Sequence, residues 1–327
     1  MTSASGIKSA PDTAARRIAF VDVAKGITMV TVVWLHLGHS PERFLNLFFM
    51  PLFFFLSGMF FNTEGGFRNF LRRKSKALLL PLLTGTILGL LVEWLVYDFS
   101  DWDDIPGRYY NFTLLGNVPL WFIVSLYWSM LIVYCVERFL PHRQKCRLTI
   151  YCLLSLAGYA ISLFRIHNTL FIGNALLTLP FFVIGFQWRD HWKSARWLSI
   201  PGLVLSIAIL AVAIWKFVPT NIHWCIYHRF YFPSFIAAAA GIYLILSLSL
   251  LLLRVCRCRL LLWLGASTIF ILVLHCLFVP TLTDVLHDGL PDGLHPIIHD
   301  ACFLIAALIL SCLCVVIGRR LRALKLI

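Results

Sequence analysis

Apolar runs recur along the chain at about 18–38, 44–62, 77–97, 119–138, 148–164, 170–187, 197–218, 231–253, 260–282 and 299–318. Most have the length of a membrane-crossing helix, about 20 residues. Short polar connections separate them, none long enough for a soluble domain. The pattern predicts an all-α polytopic membrane protein with about ten transmembrane helices. It forms one transmembrane domain over 17–320, with a disordered tail over 1–16 and a short basic tail over 321–327. Met1 to Ala15 is polar and rich in Ser and Ala, without the apolar centre of a signal peptide.

Composition and charge sharpen this picture. The chain of 327 residues is 60% hydrophobic and 13% charged, where soluble domains sit nearer 45–50% and about 25%. An even number of spans puts both termini on one side. Lys and Arg concentrate on the side that holds the termini, at 22 against five on the other, with Lys25 inside the first run. The positive-inside rule makes that side cytoplasmic. The net charge of +13 is then accounted for by topology, without a nucleic-acid partner. The ten cysteines are scattered with no CxxC spacing, and free buried thiols are expected.

Ionisable side chains within apolar runs mark functional sites, because they are costly in hydrocarbon. The first run holds Asp22, Lys25 and His36. Eleven positions separate Lys25 from His36, about three helical turns plus 20°, so they share one face about 16 Å apart. That layout suits an elongated substrate threaded between two compartments. It also suits a Lys25–Asp22 pair and a packed polar His36. Glu93 in the third run and His275 in the ninth fall at nearly the same depth as His36, in the outer half of the bilayer. A carboxylate there can orient an imidazole acting as general base, and a transporter can use the same groups as a proton relay. Ser57-Gly58 interrupts a Phe-rich second run and serves either a ligand or close helix packing. The loop before the third run carries Arg72, Arg73, Lys74 and Lys76, suited to lipid headgroups or to the phosphates of a nucleotide-like cofactor. Outer segments 98–118 and 283–298 combine Asp with aromatics or His and suit either sugar binding or ordinary solvated loops. No metal is expected at His287, His295 and His299.

Six segments carry a resemblance in order: FVDVAKGITMVTVVWLHLGHS, FFMPLFFFLSGMFF, FLRRKSKALLLPLL, VPLWFIVSLYW, LPFFVIGFQW and WLGASTIFILVLHCLF. Together they resemble the acyltransferase-3 family of multi-pass membrane acyltransferases, in its fucose 4-O-acetylase-like branch. The family's basic-x10-His motif falls on Lys25 and His36, and its membrane-edge basic motif on Arg73 and Lys76. Phe49 stands where members often have His, Leu272 where Tyr is common, and Thr268 where Ser is usual.

The resemblance implies acetyl-CoA, or another acyl-CoA, used from the cytoplasm. It implies a hydroxyl of a surface or lipid-linked glycan acylated at the outer face, with His36 catalytic, in a bacterial inner membrane. Lys25, Arg73 and Lys76 would hold the donor's phosphates and Ser57 its arm. His36, with Glu93 and His275 near, would act as base. The alternative is a transporter or flippase for a small polar solute or an acyl carrier, which moves its cargo without cleaving a thioester.

Overall fold

The computed structural model describes residues 18–36, 42–96, 117–140, 143–166, 168–194, 196–216, 220–226, 231–277 and 296–323. Among them the only regular elements are helices. These are α1 (Ala19–Leu35), α2 (Glu42–Leu45), α3 (Phe49–Met59), α4 (Phe67–Val96), α5 (Trp121–Phe139), α6 (Gln144–Leu163), α7 (Ile172–Gln187), α8 (Arg189–Lys193), α9 (Ile200–Lys216), α10 (Tyr231–Val255), α11 (Arg259–Ala266), α12 (Thr268–Leu277) and α13 (Pro296–Ala323). Short 3-10 turns at Val118–Leu120 and Thr169–Phe171 lead into α5 and α7. The tail over 1–16 lies outside the described residues.

Four helical stretches are long and apolar enough to cross a membrane: Phe67–Val92, Trp121–Phe139, Gln144–Leu163 and Tyr231–Val255. A fifth span arises if α11 and α12 are taken together, but they meet at 82°. The chain is therefore an all-helical integral membrane protein whose apolar runs do not all become straight spans. The run over 44–62 divides into the one-turn α2 and the 11-residue α3, and the run over 260–282 breaks at Ser267. Hydropathy sums composition over a window and does not register a bend.

The interior is built on α1 and α3. Nine of the 11 residues of α3 are buried, which is the pattern of a helix covered on every side. The outer faces of α4 and α9 instead expose Leu80, Leu83, Ile87, Trp94, Val204 and Trp215. Apolar area on that scale is left open only where lipid covers it.

Glycines set the closest approaches. A Cβ on Gly58 would lie 2.0 Å from the Phe182 carbonyl oxygen, and one on Gly185 would lie 2.1 Å from that of Phe55. Gly26 and Gly265 pair α1 with α11 in the same reciprocal way, against Leu261 and Asp22. Small residues let helix backbones meet, and this contact is a main source of association in lipid. Gly185→Ala is expected to push α3 and α7 apart and cost about 1–3 kcal/mol, as overpacking does. A lowered detergent melting temperature with normal expression checks it.

The cationic segment before the third run is not a loop. It forms the opening turns of α4, and its side chains therefore point in different directions. Lys74 shares a stripe with buried Phe70 and Leu78, four residues to either side, while Arg73 and Lys76 are exposed. The cysteines also differ from expectation: all ten are free, but only Cys225 and Cys276 are buried.

Candidate active site

At the end of α1, His36 takes up a non-helical C-cap geometry, and its ring folds back on the last turn. Nδ1–H donates to the Val32 carbonyl oxygen at 2.8 Å. His275, fully buried on α12, repeats the arrangement: its Nδ1–H donates to Ile271 O at 2.9 Å. A carbonyl only accepts, so both neutral rings carry their proton on Nδ1 and keep a lone pair on Nε2. The two rings lie 5.1 Å apart and edge to face at 74°. Nε2 of His275 has no hydrogen-bond partner among the described residues. A buried acceptor left unpaired is costly, and a donor group beside His275 Nε2 would satisfy it.

A cavity of about 150 Å³ opens beside His36, walled by Glu42, Asn46, Trp121, Asn221, His223 and Leu272 among others. His223 lies against Trp121, with ring centroids 5.5 Å apart and planes at 20°. Burial, and secondarily the facing His36, push the His223 pKa down to about 4. At neutral pH it is an uncharged hydrogen-bonding group.

A second cavity, of about 200 Å³, lies nearer the other end of α1. Lys25, Ser57, Leu78, Phe122, Gly265 and Thr268 are among its walls. Leu272 borders both cavities. Lys25 pairs with Asp22 at 3.8 Å and stands 5.2 Å from the Phe60 ring centre, where Lys193 also stands at 5.1 Å. Lys74 covers the neighbouring Phe61 at 5.4 Å, and Arg189 Nη1–H donates to Phe61 O at 3.2 Å. The Lys25 end of the site thus gathers cations from α1, α4 and α8 around two phenylalanines.

Of the residues singled out from sequence, His36 and His275 meet, and Lys25 and Ser57 share the second cavity. Gly58 does not line it; it serves the contact between α3 and α7. Arg73 and Lys76 are exposed on α4, where Lys74 turns inward in their stead. Glu93 lies on α4, but its side chain is outside the described residues, as are residues 98–116 and 283–295 and the side chain of His299.

Other functional groups gave little sequence signal. Arg189, Lys193 and His223 were not singled out from sequence. Asn117 is fully buried and donates through Nδ2 to Gly85 O at 3.2 Å and Val273 O at 2.9 Å. It ties α4 to the helix that carries His275.

One group can hold a metal ion. His36, His275 and Cys276 each offer a ligand atom within 4.8 Å of the others. Two imidazoles and a thiolate suit zinc, and an Nδ1–H bonded to a carbonyl is the usual outer-shell support of a zinc-bound histidine. If His36 works as a free base, added zinc is expected to lower turnover about tenfold or more by occupying its lone pair, and a chelator to restore it. His275→Gln should weaken that inhibition. Zinc-independent turnover of the native protein would show that the three groups do not converge on an ion.

An all-helical membrane domain thus sets a half-buried His36 against a fully buried His275, and Leu272 borders both their cavity and the one that Lys25 lines. Residues 18–316 match the acyltransferase domain of the acyltransferase-3 family. The chain belongs to that family and is a membrane acyltransferase. No curated protein and no solved structure matches it.

Proposed function

We propose that the protein transfers an acyl group, most simply acetyl, from cytoplasmic acyl-CoA to a hydroxyl of a surface or lipid-linked carbohydrate. One observation carries the reading. A single face of α1 sends Lys25 into one cavity and His36 into another, and Leu272 is common to both. An acyl-CoA has a polyanionic head and a thin pantetheine arm; this arrangement offers cations for the first, and for the second a route that would open where Leu272 separates the two cavities.

Lys25, Lys74 and Lys193 would meet the phosphates through charge-assisted hydrogen bonds. Arg73 and Lys76, exposed one turn away, would act on the same charge at longer range. Ser57 would border the arm. At the far end, His36 Nε2 takes the proton of an acceptor hydroxyl as its oxygen attacks the thioester carbonyl. The C–S bond then breaks, and the thiolate leaves with the proton held on His36. His275 supports the imidazolium, and Glu93 is retained as a candidate partner of the pair. The frame for this reaction is ten membrane-crossing segments with both termini cytoplasmic, as the cation distribution supports, in a bacterial inner membrane. The fucose 4-O-acetylase-like segments support a sugar acceptor.

The test uses purified protein in nanodiscs with labelled acetyl-CoA and a panel of glycans. Acceptor-dependent label transfer with release of CoA thiol supports the reading. Solute flux without thioester cleavage would favour a transporter. Trapping a labelled acyl group on the protein at a kinetically competent rate would replace direct transfer by an acyl-His36 intermediate.

A further inference from the structure

The connection between α9 and α10 is built with unusual care for so short a segment. Asn221 and Ile226 exchange reciprocal backbone hydrogen bonds, both 2.9 Å. Cys225 adopts a left-handed backbone, with φ 53°. Asn174, fully buried near the start of α7, donates to the carbonyls of Ile222 and His223, the latter at 2.9 Å. Its own Oδ1 accepts from Asn168 Nδ2–H, and Asn168 Oδ1 accepts the Gly173 N–H at 2.7 Å. Thr220 Oγ1–H donates to Asn46 O at 3.3 Å.

Burying amide side chains in a membrane protein costs free energy unless every group is satisfied, and apolar residues would fill the space more cheaply. What this network secures is one conformation of residues 220–226. That conformation holds the His223 ring between Trp121 and Trp224, centroids 5.5 and 4.7 Å away. It also places His223 and Asn221 in the wall of the cavity that contains His36. The network therefore fixes the position of a hydrogen-bonding ring facing the base.

We propose that residues 220–226 form the acceptor-reading wall of the site, and that His223, positioned by Asn174, binds the hydroxyl adjacent to the one that His36 deprotonates. This rests on the acyltransferase reading with His36 as base. The acceptor class that fits is a single ring bearing neighbouring hydroxyls. The cavity of about 150 Å³ has room for one sugar ring beside His36. His223 both donates and accepts when neutral, as a diol requires. Asn46 and Asn221 supply further amide partners in the same wall.

The experiment uses the full chain in nanodiscs with acetyl-CoA. The acceptors are the methyl hexoside that the wild type acetylates best and its monodeoxy analogue lacking the adjacent hydroxyl. The wild type is expected to favour the diol by about tenfold in kcat/KM, the worth of one neutral hydrogen bond. His223→Phe keeps the ring stacking but loses the nitrogens. It should favour the diol by less than about twofold, while the dissociation constant for acetyl-CoA stays within about twofold of wild type. Asn174→Ala should raise acceptor KM in the same direction with acetyl-CoA binding unchanged, as a positioning residue does. His223→Gln, which restores a donor and an acceptor, should recover part of the preference. Full diol preference in a His223→Phe protein overturns the proposal. So does an equal loss of transfer to the diol and to its monodeoxy analogue in variants that still bind acetyl-CoA. A wild type that releases no CoA thiol with any acceptor overturns the acyltransferase reading itself, a result distinct from either.

Discussion

His36→Ala is expected to lower kcat about a thousandfold, within the range that a positioned general base contributes. The dissociation constant for acetyl-CoA should stay within about twofold. Of the residues assigned to its phosphates and arm, Lys25 and Ser57 line the other cavity and Lys74 and Lys193 stand by Phe61 and Phe60, while the imidazole's own hydrogen bond is to Val32. The split between chemistry and binding is the informative result. Equal loss of both would mean that His36 supports the fold of α1's end and performs no chemistry. His275→Gln should cost less, about tenfold to a hundredfold, because it acts on the acceptor only through His36. A thousandfold loss at either position, with no further loss in the double variant, would show that the two imidazoles act as one unit. Single-turnover release of CoA thiol, alongside binding of labelled acetyl-CoA, measures both quantities.

That prediction uses a residue legible from sequence, and the reasons for its legibility also explain what was missed. Helix periodicity put Lys25 and His36 on one face, and both do face cavities, because α1 stays regular from Ala19 to Leu35. Depth counting brought His275 level with His36, and α12 delivers it there. The same counting said nothing about rotation, so it did not distinguish a side chain turned inward from one turned to lipid. On α4 the uncertainty was decisive. Read as a loop, the cationic segment offered Arg72, Arg73, Lys74 and Lys76 alike, and the family resemblance singled out Arg73 and Lys76. Wound into a helix, it turns Lys74 inward with Phe70 and Leu78. The acceptor wall left no trace, since Asn168, Asn174 and His223 come together only when α7 meets the connection before α10. Departures from the family pattern were more informative than they seemed in sequence. Phe49 and Leu272 border the His36 cavity, while Thr268 and Leu272 border the Lys25 cavity. They change the walls of the two cavities and leave Lys25 and His36 in place.

Leu272 is where those departures can be tested most directly. It is 3% exposed, sits on α12 three residues before His275, and borders both cavities. If the pantetheine arm passes from Lys25 to His36, it passes this side chain. Leu272→Trp should then block the passage and lower kcat about a hundredfold or more, since a thioester held even an ångström short of the acceptor oxygen loses that much. Acetyl-CoA should still bind, because the cations around Phe60 and Phe61 are untouched. Leu272→Ala works in the opposite sense. It joins the two spaces, and acceptor-independent release of CoA thiol is expected to rise about threefold to tenfold as water reaches the thioester. Longer acyl groups should become better donors relative to acetyl. Leu272→Tyr, the side chain common at this place in the family, should keep transfer within about tenfold of wild type, because its hydroxyl can reach the imidazole pair for a hydrogen bond. Wild-type kcat in the Trp variant, with the protein correctly folded, would mean that donor and acceptor meet by another route. The Lys25 cavity would then be a lipid or solvent pocket, and His36 would have to receive both substrates from the outer side.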